Sequence, residues 1–333
     1  MARNASTILV IVLAGIFGSG SLRAEPQHPL DALEADEITQ TVAILRSLGH
    51  VDDATPILAL TLETPAKSDV LAWEPGQKIS RRSRTIIRRD RINREFVVDL
   101  DLQELTSTQT IPGPAQPPIS FDEMISAVEI AVSSQEMLAG LAKRGVTDPD
   151  SLFCAPRTVG NFGGTYEQER RVVKVDCFDL SNNPTNIFAA PIEGLFAVVD
   201  LESREVLEVT DLGVVPVSKT TYSLSPDARN SLRKTNPVEI HAPRGGNVKL
   251  DGWNVAWNNW RFHLRWDMRA GLIMSMVRYD DGGKLRSVLY EGNVSEIFVP
   301  YQDTTEGWYY RNYMDEGEYG LGTTHSPLIA GVD

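Results

Sequence analysis

The sequence predicts an α+β protein: two small helix-plus-antiparallel-sheet domains followed by the incomplete start of a large all-β sandwich. Three observations carry this. A helix-period stretch followed by β-prone runs occurs twice, on either side of the Pro-rich segment Ile111–Pro118 (IPGPAQPP). From about Asn236 helical periodicity disappears, and tryptophans (Trp253, Trp257, Trp260, Trp266) and short β-prone runs alternate with Gly turns. The last runs stop without a closing pattern, which leaves a two-layer fold with open edges and an uncovered apolar face.

In chain order, Thr7–Phe17 (TILVIVLAGIF) is a short apolar run after Arg3, and Gly18–Ala24 is rich in small residues. This is the pattern of an export signal spanning residues 1–24, and the run is too short to cross a bilayer. Its removal deletes Arg3 and Arg23 and moves the net charge from −13 to −15. An acidic chain gains nothing from a polyanion, so a nucleic-acid partner is excluded, and so is a membrane partner once the signal is gone. The expected location is periplasmic or extracellular.

The first domain is expected over residues 28–112. Leu33, Ile38, Val42, Leu45 and Leu48 recur at helical spacing, with Asp31 as N-cap and Gly49 as the stop. Strands follow at Pro56–Leu62, Arg84–Arg89 and Glu95–Leu102, the last two joined by a polar turn at Asp90–Asn93. Eight basic residues fall within Lys78–Arg94. They lack the aromatic interleaving of a base-binding surface and read as a solvated hairpin edge blunted by charge.

The second domain is expected over residues 120–220. Ser120 and Glu123 form the S-x-x-E pattern of a capping box. A second helix runs from about Ser134 to Lys143, and strands follow at Arg171–Leu180, Gly194–Asp200 and Glu205–Leu212. The two domains share a plan, but no residue-level repeat is visible between them. The only cysteines are Cys154 and Cys177. In an oxidising compartment they pair across a hairpin; the alternative is two buried thiols.

The third region, residues 236–333, carries strands at Arg261–Met268, Gly271–Asp280, Lys284–Gly292 and Ser295–Tyr301, with a hairpin turn at Asp280–Gly283. Asn293-Val294-Ser295 is a glycosylation sequon where the secretory route is eukaryotic. Tyr313 and Asp315 lie two apart in a strand-like run, so they share a face. An acid desolvated beside tyrosine hydroxyls has a raised pKa and serves as a base near neutrality. The bland alternative is a surface Asp beside core tyrosines.

Trp260–Leu272 (WRFHLRWDMRAGL), Tyr290–Tyr301 (YEGNVSEIFVPY) and Asp315–Gly320 (DEGEYG) resemble spaced motifs of the copper amine oxidase family, in the family's order. His28-Pro29-Leu30-Asp31 is similar to the H-P-L-D opening of the family's first small domain. The resemblance covers about residues 28–333. It implies oxidative deamination of primary amines, aromatic ones among them, to aldehyde, ammonia and hydrogen peroxide. It assigns Asp315 as general base, Tyr313 as substrate gate and Tyr301 as the hydrogen-bond partner of the quinone. It also implies copper, topaquinone and a homodimer in the complete enzyme.

The family's quinone tyrosine lies in an N-Y-D/E motif. Asn312-Tyr313-Met314 is the nearest approach here and lacks the acid. The family's H-x-H copper pair is also missing, and His28, His50, His241, His263 and His325 read as scattered surface or packing residues. The chain is therefore expected to be a truncated N-terminal part, binding neither cofactor and inactive alone. The rival reading is a non-catalytic exported interaction protein derived from the same small domains. A third reading is a carbohydrate- or peptide-binding β protein using the Trp-rich stretch, against which the tryptophans read as packing residues.

Overall fold

The computed structural model describes residues 27–112, 116–168, 170–223, 225, 236, 241, 243–294, 297, 299–311 and 320–322. Residues 1–24, Tyr313, Asp315, His325 and part of the expected strand Ser295–Tyr301 lie outside them. The architecture is α+β, with three antiparallel sheets whose strands are ordered as in the sequence.

The first sheet is β1 (Ile57–Leu62), β2 (Arg82–Arg89), β3 (Ile92–Asp99) and β4 (Glu104–Thr110). Helix α1 (Ala35–Ser47) lies on it, burying Leu45 with Ile87, Phe96 and Val98. Helix α2 (Lys67–Ala72), between β1 and β2, and strand β4 were not anticipated from the sequence.

Asp31 is not the N-cap of α1, a correction to the sequence reading. Glu34 holds that position, and Glu37 reaches back to its N–H at 2.8 Å. The basic run is also not a solvated edge, because β2 and β3 are the inner strands of the sheet. Several of its arginines are ion-paired: Arg81 with Glu37, Arg84 with Glu63 and Glu95, Arg88 with Glu202, and Arg89 with Asp52. Along β2, Ser83, Thr85 and Ile87 are buried, and Arg82, Arg84, Ile86 and Arg88 are half-buried on the other face.

The second sheet is β5 (Leu152–Thr158), β6 (Val172–Asp179), β7 (Pro191–Asp200) and β8 (Glu205–Asp211), covered by α3 (Phe121–Ser133) and α4 (Gln135–Lys143). Ala127, Ala131, Met137 and Leu141 pack on Val173, Val175, Leu195 and Ala197. Ser120 caps α3 as its spacing indicates: its Oγ accepts from Glu123 N–H, and Glu123 accepts from Ser120 N–H. Cys154 and Cys177 face each other in register on β5 and β6 and are joined by a disulfide.

The two modules do repeat at residue level, against the sequence reading. Glu37 and Glu123 each sit at the third position of a helix, and each binds one buried arginine, Arg81 or Arg171. Those arginines precede the second strand of their sheets and also donate to carbonyls just upstream of the helix: Asp31 and Ala32 for Arg81, Pro117 and Pro118 for Arg171. Their own carbonyls accept from Leu100 and Leu201 after the third strands. Loops of different length between these points hide the repeat from linear comparison.

The third sheet is a meander of β9 (Val248–Asp251), β10 (Asn254–Trp257), β11 (Trp260–Asp267), β12 (Gly271–Asp281) and β13 (Lys284–Gly292). One face buries His263, Arg265, Ile273 and Ser275. Trp266, Leu272, Met274 and Leu289 stay exposed. No helix among the described residues is long and apolar enough to cross a membrane.

Candidate functional site

Of the three residues assigned to chemistry, only Tyr301 is among the described residues. It is exposed, its ring centroid lies 5.7 Å from that of Trp308, and its N–H donates to the Arg311 carbonyl at 3.3 Å. The chain on either side of residues 312–319 is fixed to different parts of the molecule.

Upstream, Tyr309, Tyr310 and Arg311 seat on the second sheet. Tyr310 is fully buried, 5.8 Å from the Phe196 ring, and Arg311 reaches Asp176 at 3.5 Å and stacks on Trp308 at 4.0 Å. Burial pushes the Tyr310 hydroxyl up to about 12, which keeps it un-ionised. Downstream, Leu321 N–H donates to Met268, and Trp266 Nε1 donates to the Leu321 carbonyl at 2.8 Å. Gly322 is required there: its φ is +87°, and a Cβ would stand 2.7 Å from Trp266 Nε1.

A second cluster joins the first module to the third sheet. The Asp31 carboxylate, lost to the helix as a cap, accepts from Gln27 and His28 N–H at 2.7 and 2.9 Å. It also binds Nε2 of buried His263 at 2.8 Å, across 232 residues. The His28 ring stacks on His263 at 4.5 Å and meets the edge of Trp73 at 5.2 Å. Burial, then the nearby His263 and Arg278, lowers His28 to about 4, with Asp31 opposing. These two histidines are packing residues, but not scattered ones.

A third cluster is Lys174, Tyr309 and Glu167, at the seam of the second sheet and the segment leading to residue 312. The sequence reading singled out none of these three. The run Trp308-Tyr309-Tyr310 was the available signal, as three aromatics in a turn need a surface to bury them.

The described residues offer no group of three or more His, Cys, Asp or Glu arranged to hold a metal. His28 and His263 stack face to face, and His50 packs on Phe96 at 4.7 Å. This donor set does not fit a copper centre, and the sequence has no N-Y-D/E tyrosine to become a quinone. No catalytic step through either group can be built on these residues.

Comparison with known proteins decides the family. Residues 28–111 match the N2 domain of copper amine oxidase, 122–223 its N3 domain, and 248–333 its enzyme domain. The chain belongs to the copper amine oxidase family. Its relatives include "Amine oxidase [copper-containing] gamma 1" of Arabidopsis thaliana, 37% identical over 92% of this chain and 44% of that protein. The "Primary amine oxidase" of Klebsiella aerogenes is 35% identical over 92% of this chain and 41% of that protein. The chain thus spans less than half the length of these amine oxidases. A copper-containing benzylamine oxidase from Hansenula polymorpha superposes with a TM-score of 0.74 at 18% identity, covering 92% of this chain and 50% of that one. That likeness shows the amine oxidase fold.

Proposed function

We propose that this chain supplies the substrate-side residues of an exported, copper- and topaquinone-dependent primary-amine oxidase, and that it does not turn over amines alone. The observation that carries this is the ordered match of N2, N3 and enzyme domains along residues 28–333. Asp315 takes the proton from the carbon bearing the amine, as a base kept competent by neighbouring tyrosines. Tyr313 narrows the substrate path and Tyr301 offers its hydroxyl to the quinone. Copper and topaquinone would supply the redox chemistry; the described residues hold no group of three or more His, Cys, Asp or Glu for a metal, and the sequence has no N-Y-D/E tyrosine.

The disulfide and the apolar start of the chain support export to the periplasm or outside the cell. In the complete enzyme a homodimer and small primary amines, aromatic ones included, are the proposed partners.

Two assays test the reading. The purified chain, supplied with copper(II), oxygen and benzylamine, is expected to form no peroxide; sustained peroxide formation would overturn the claim that it is inactive. A chimera completing it with the remaining enzyme domain of the Klebsiella aerogenes relative is expected to be active. In that chimera Asp315→Asn should lower kcat by about 10²–10⁴-fold. An unimpaired Asp315→Asn chimera would remove Asp315 from the base role.

A further inference from the structure

At the seam between the second sheet and the turn Thr305–Tyr310, a buried lysine is enclosed by aromatic rings. Lys174 is buried on β6, and its Nζ lies over three rings, 4.2 Å from Tyr310, 4.5 Å from Tyr309 and 5.3 Å from Phe196. It donates to Tyr309 Oη at 2.9 Å, and Tyr309 Oη donates to Glu167 Oε1 at 3.2 Å. Glu167 Oε2 is held by the N–H groups of Phe162 and Gly164, each at 2.8 Å, so the end of this relay is rigid. Among the described residues no carboxylate stands within ion-pairing distance of Lys174 Nζ.

The amine lines a cleft of about 300 Å³, whose walls include the rings of Phe162 and Tyr166 and the carboxylates of Glu208 and Glu306. Burial holds the ammonium below the ordinary lysine range, against the opposing pull of Glu167, Glu306 and Glu208. A lysine of this kind has more free amine at neutral pH than a solvated one, and free amine is what attacks carbonyl carbon.

We propose that Lys174 is a carbonyl-capture site, where its amine condenses with a small, preferably aromatic aldehyde entering the cleft. The nitrogen lone pair forms the C–N bond and the carbonyl π pair moves to oxygen, which takes a proton. The nitrogen gives up both of its protons, the hydroxyl takes up a second proton and departs as water, and the C=N bond of an imine remains. No oxidant or reductant is consumed. Tyr309 receives one nitrogen proton as it passes its own to Glu167. That the natural carbonyl is the aldehyde of amine oxidation rests on the function proposed above; the site itself does not.

The test uses the full chain with benzaldehyde and sodium cyanoborohydride at neutral pH, read by intact mass and peptide mapping. The expected result is one N-benzyl adduct, on Lys174, formed about tenfold or more faster than at the other lysines. Lys174→Arg should abolish that adduct alone. Tyr309→Phe and Glu167→Gln should slow Lys174 labelling about tenfold while the other lysines keep their rates, which also reports an intact fold. Labelling of Lys174 no faster than the other lysines overturns the proposal. So does an adduct count unchanged in Lys174→Arg, or a Lys174 rate indifferent to both relay variants. No copper, quinone or oxygen enters the assay, so its outcome is independent of whether the chain takes part in amine oxidation.

Discussion

Replacing Glu123 with Ala removes two supports at once, because one carboxylate both closes the α3 capping box and neutralises Arg171. A lost cap costs about 1 kcal/mol. Leaving a buried guanidinium without its partner costs about 3–5 kcal/mol, and Arg171 is only 2% exposed. The two costs share one side chain and do not add. The expected loss is therefore about 3 kcal/mol or slightly more.

Amide hydrogen exchange, read strand by strand in the whole chain, separates this module from the other two sheets. A loss of about 3 kcal/mol corresponds to exchange about a hundredfold faster in β5–β8, with β1–β4 unchanged. Adding Arg171→Met should restore most of the protection, because an apolar side chain of similar length needs no counter-charge. Burial raises the Glu123 carboxyl, but the bonds and charge of Arg171, with Ser120, outweigh it and lower the pKa overall. Its contribution is then complete at neutral pH and fades as pH falls below the ordinary carboxylate value and through the depressed folded one. Acceleration of less than about fivefold, or no recovery in the double variant, would refute the view that this ion pair holds helix to sheet.

Reduction of Cys154–Cys177 releases a loop of separation 23 and should cost about 3 kcal/mol, seen as a lower urea midpoint under dithiothreitol. His28 is neutral in the folded protein, lowered from 6.5 to about 4, so its contribution is complete above pH 6.5 and lost as pH falls toward 4. After discounting for its partial exposure this amounts to about 1–2 kcal/mol. It should appear as loosening of the first module from the third sheet, absent in His28→Gln, and a histidine NMR titration near 6.5 would contradict it.

How much of this was legible depended on whether a signal was local. The α3 capping box and the hairpin β2–β3 were readable because every residue that makes them lies within a few positions. Strand β4 (ELTSTQT) was not, since an edge strand with no buried residue shows no apolar alternation. Strand β5 carries Pro156, which argues against a strand unless it is an edge, and an edge it is. Asp31 has the chemistry of an N-cap, but its carboxylate is taken by a histidine 232 residues away. Lys174 looked like any strand lysine until three rings from two distant segments closed over it. Tyr301, Tyr313 and Asp315 were assigned by family resemblance, and of them the structure describes only Tyr301.

The strict sequence order of strands in all three sheets bears on how the chain is made. Every sheet pairs only neighbours in the chain, so each can zip up as soon as its own stretch has left the ribosome. The contacts with long loop-closure distances, such as His263 with Asp31 and Lys174 with Tyr309, join pieces already formed. Assembly is thereby divided into fast local zipping and slower docking. Delays and misassembly in folding should concentrate at the docking seams, leaving the sheets themselves intact.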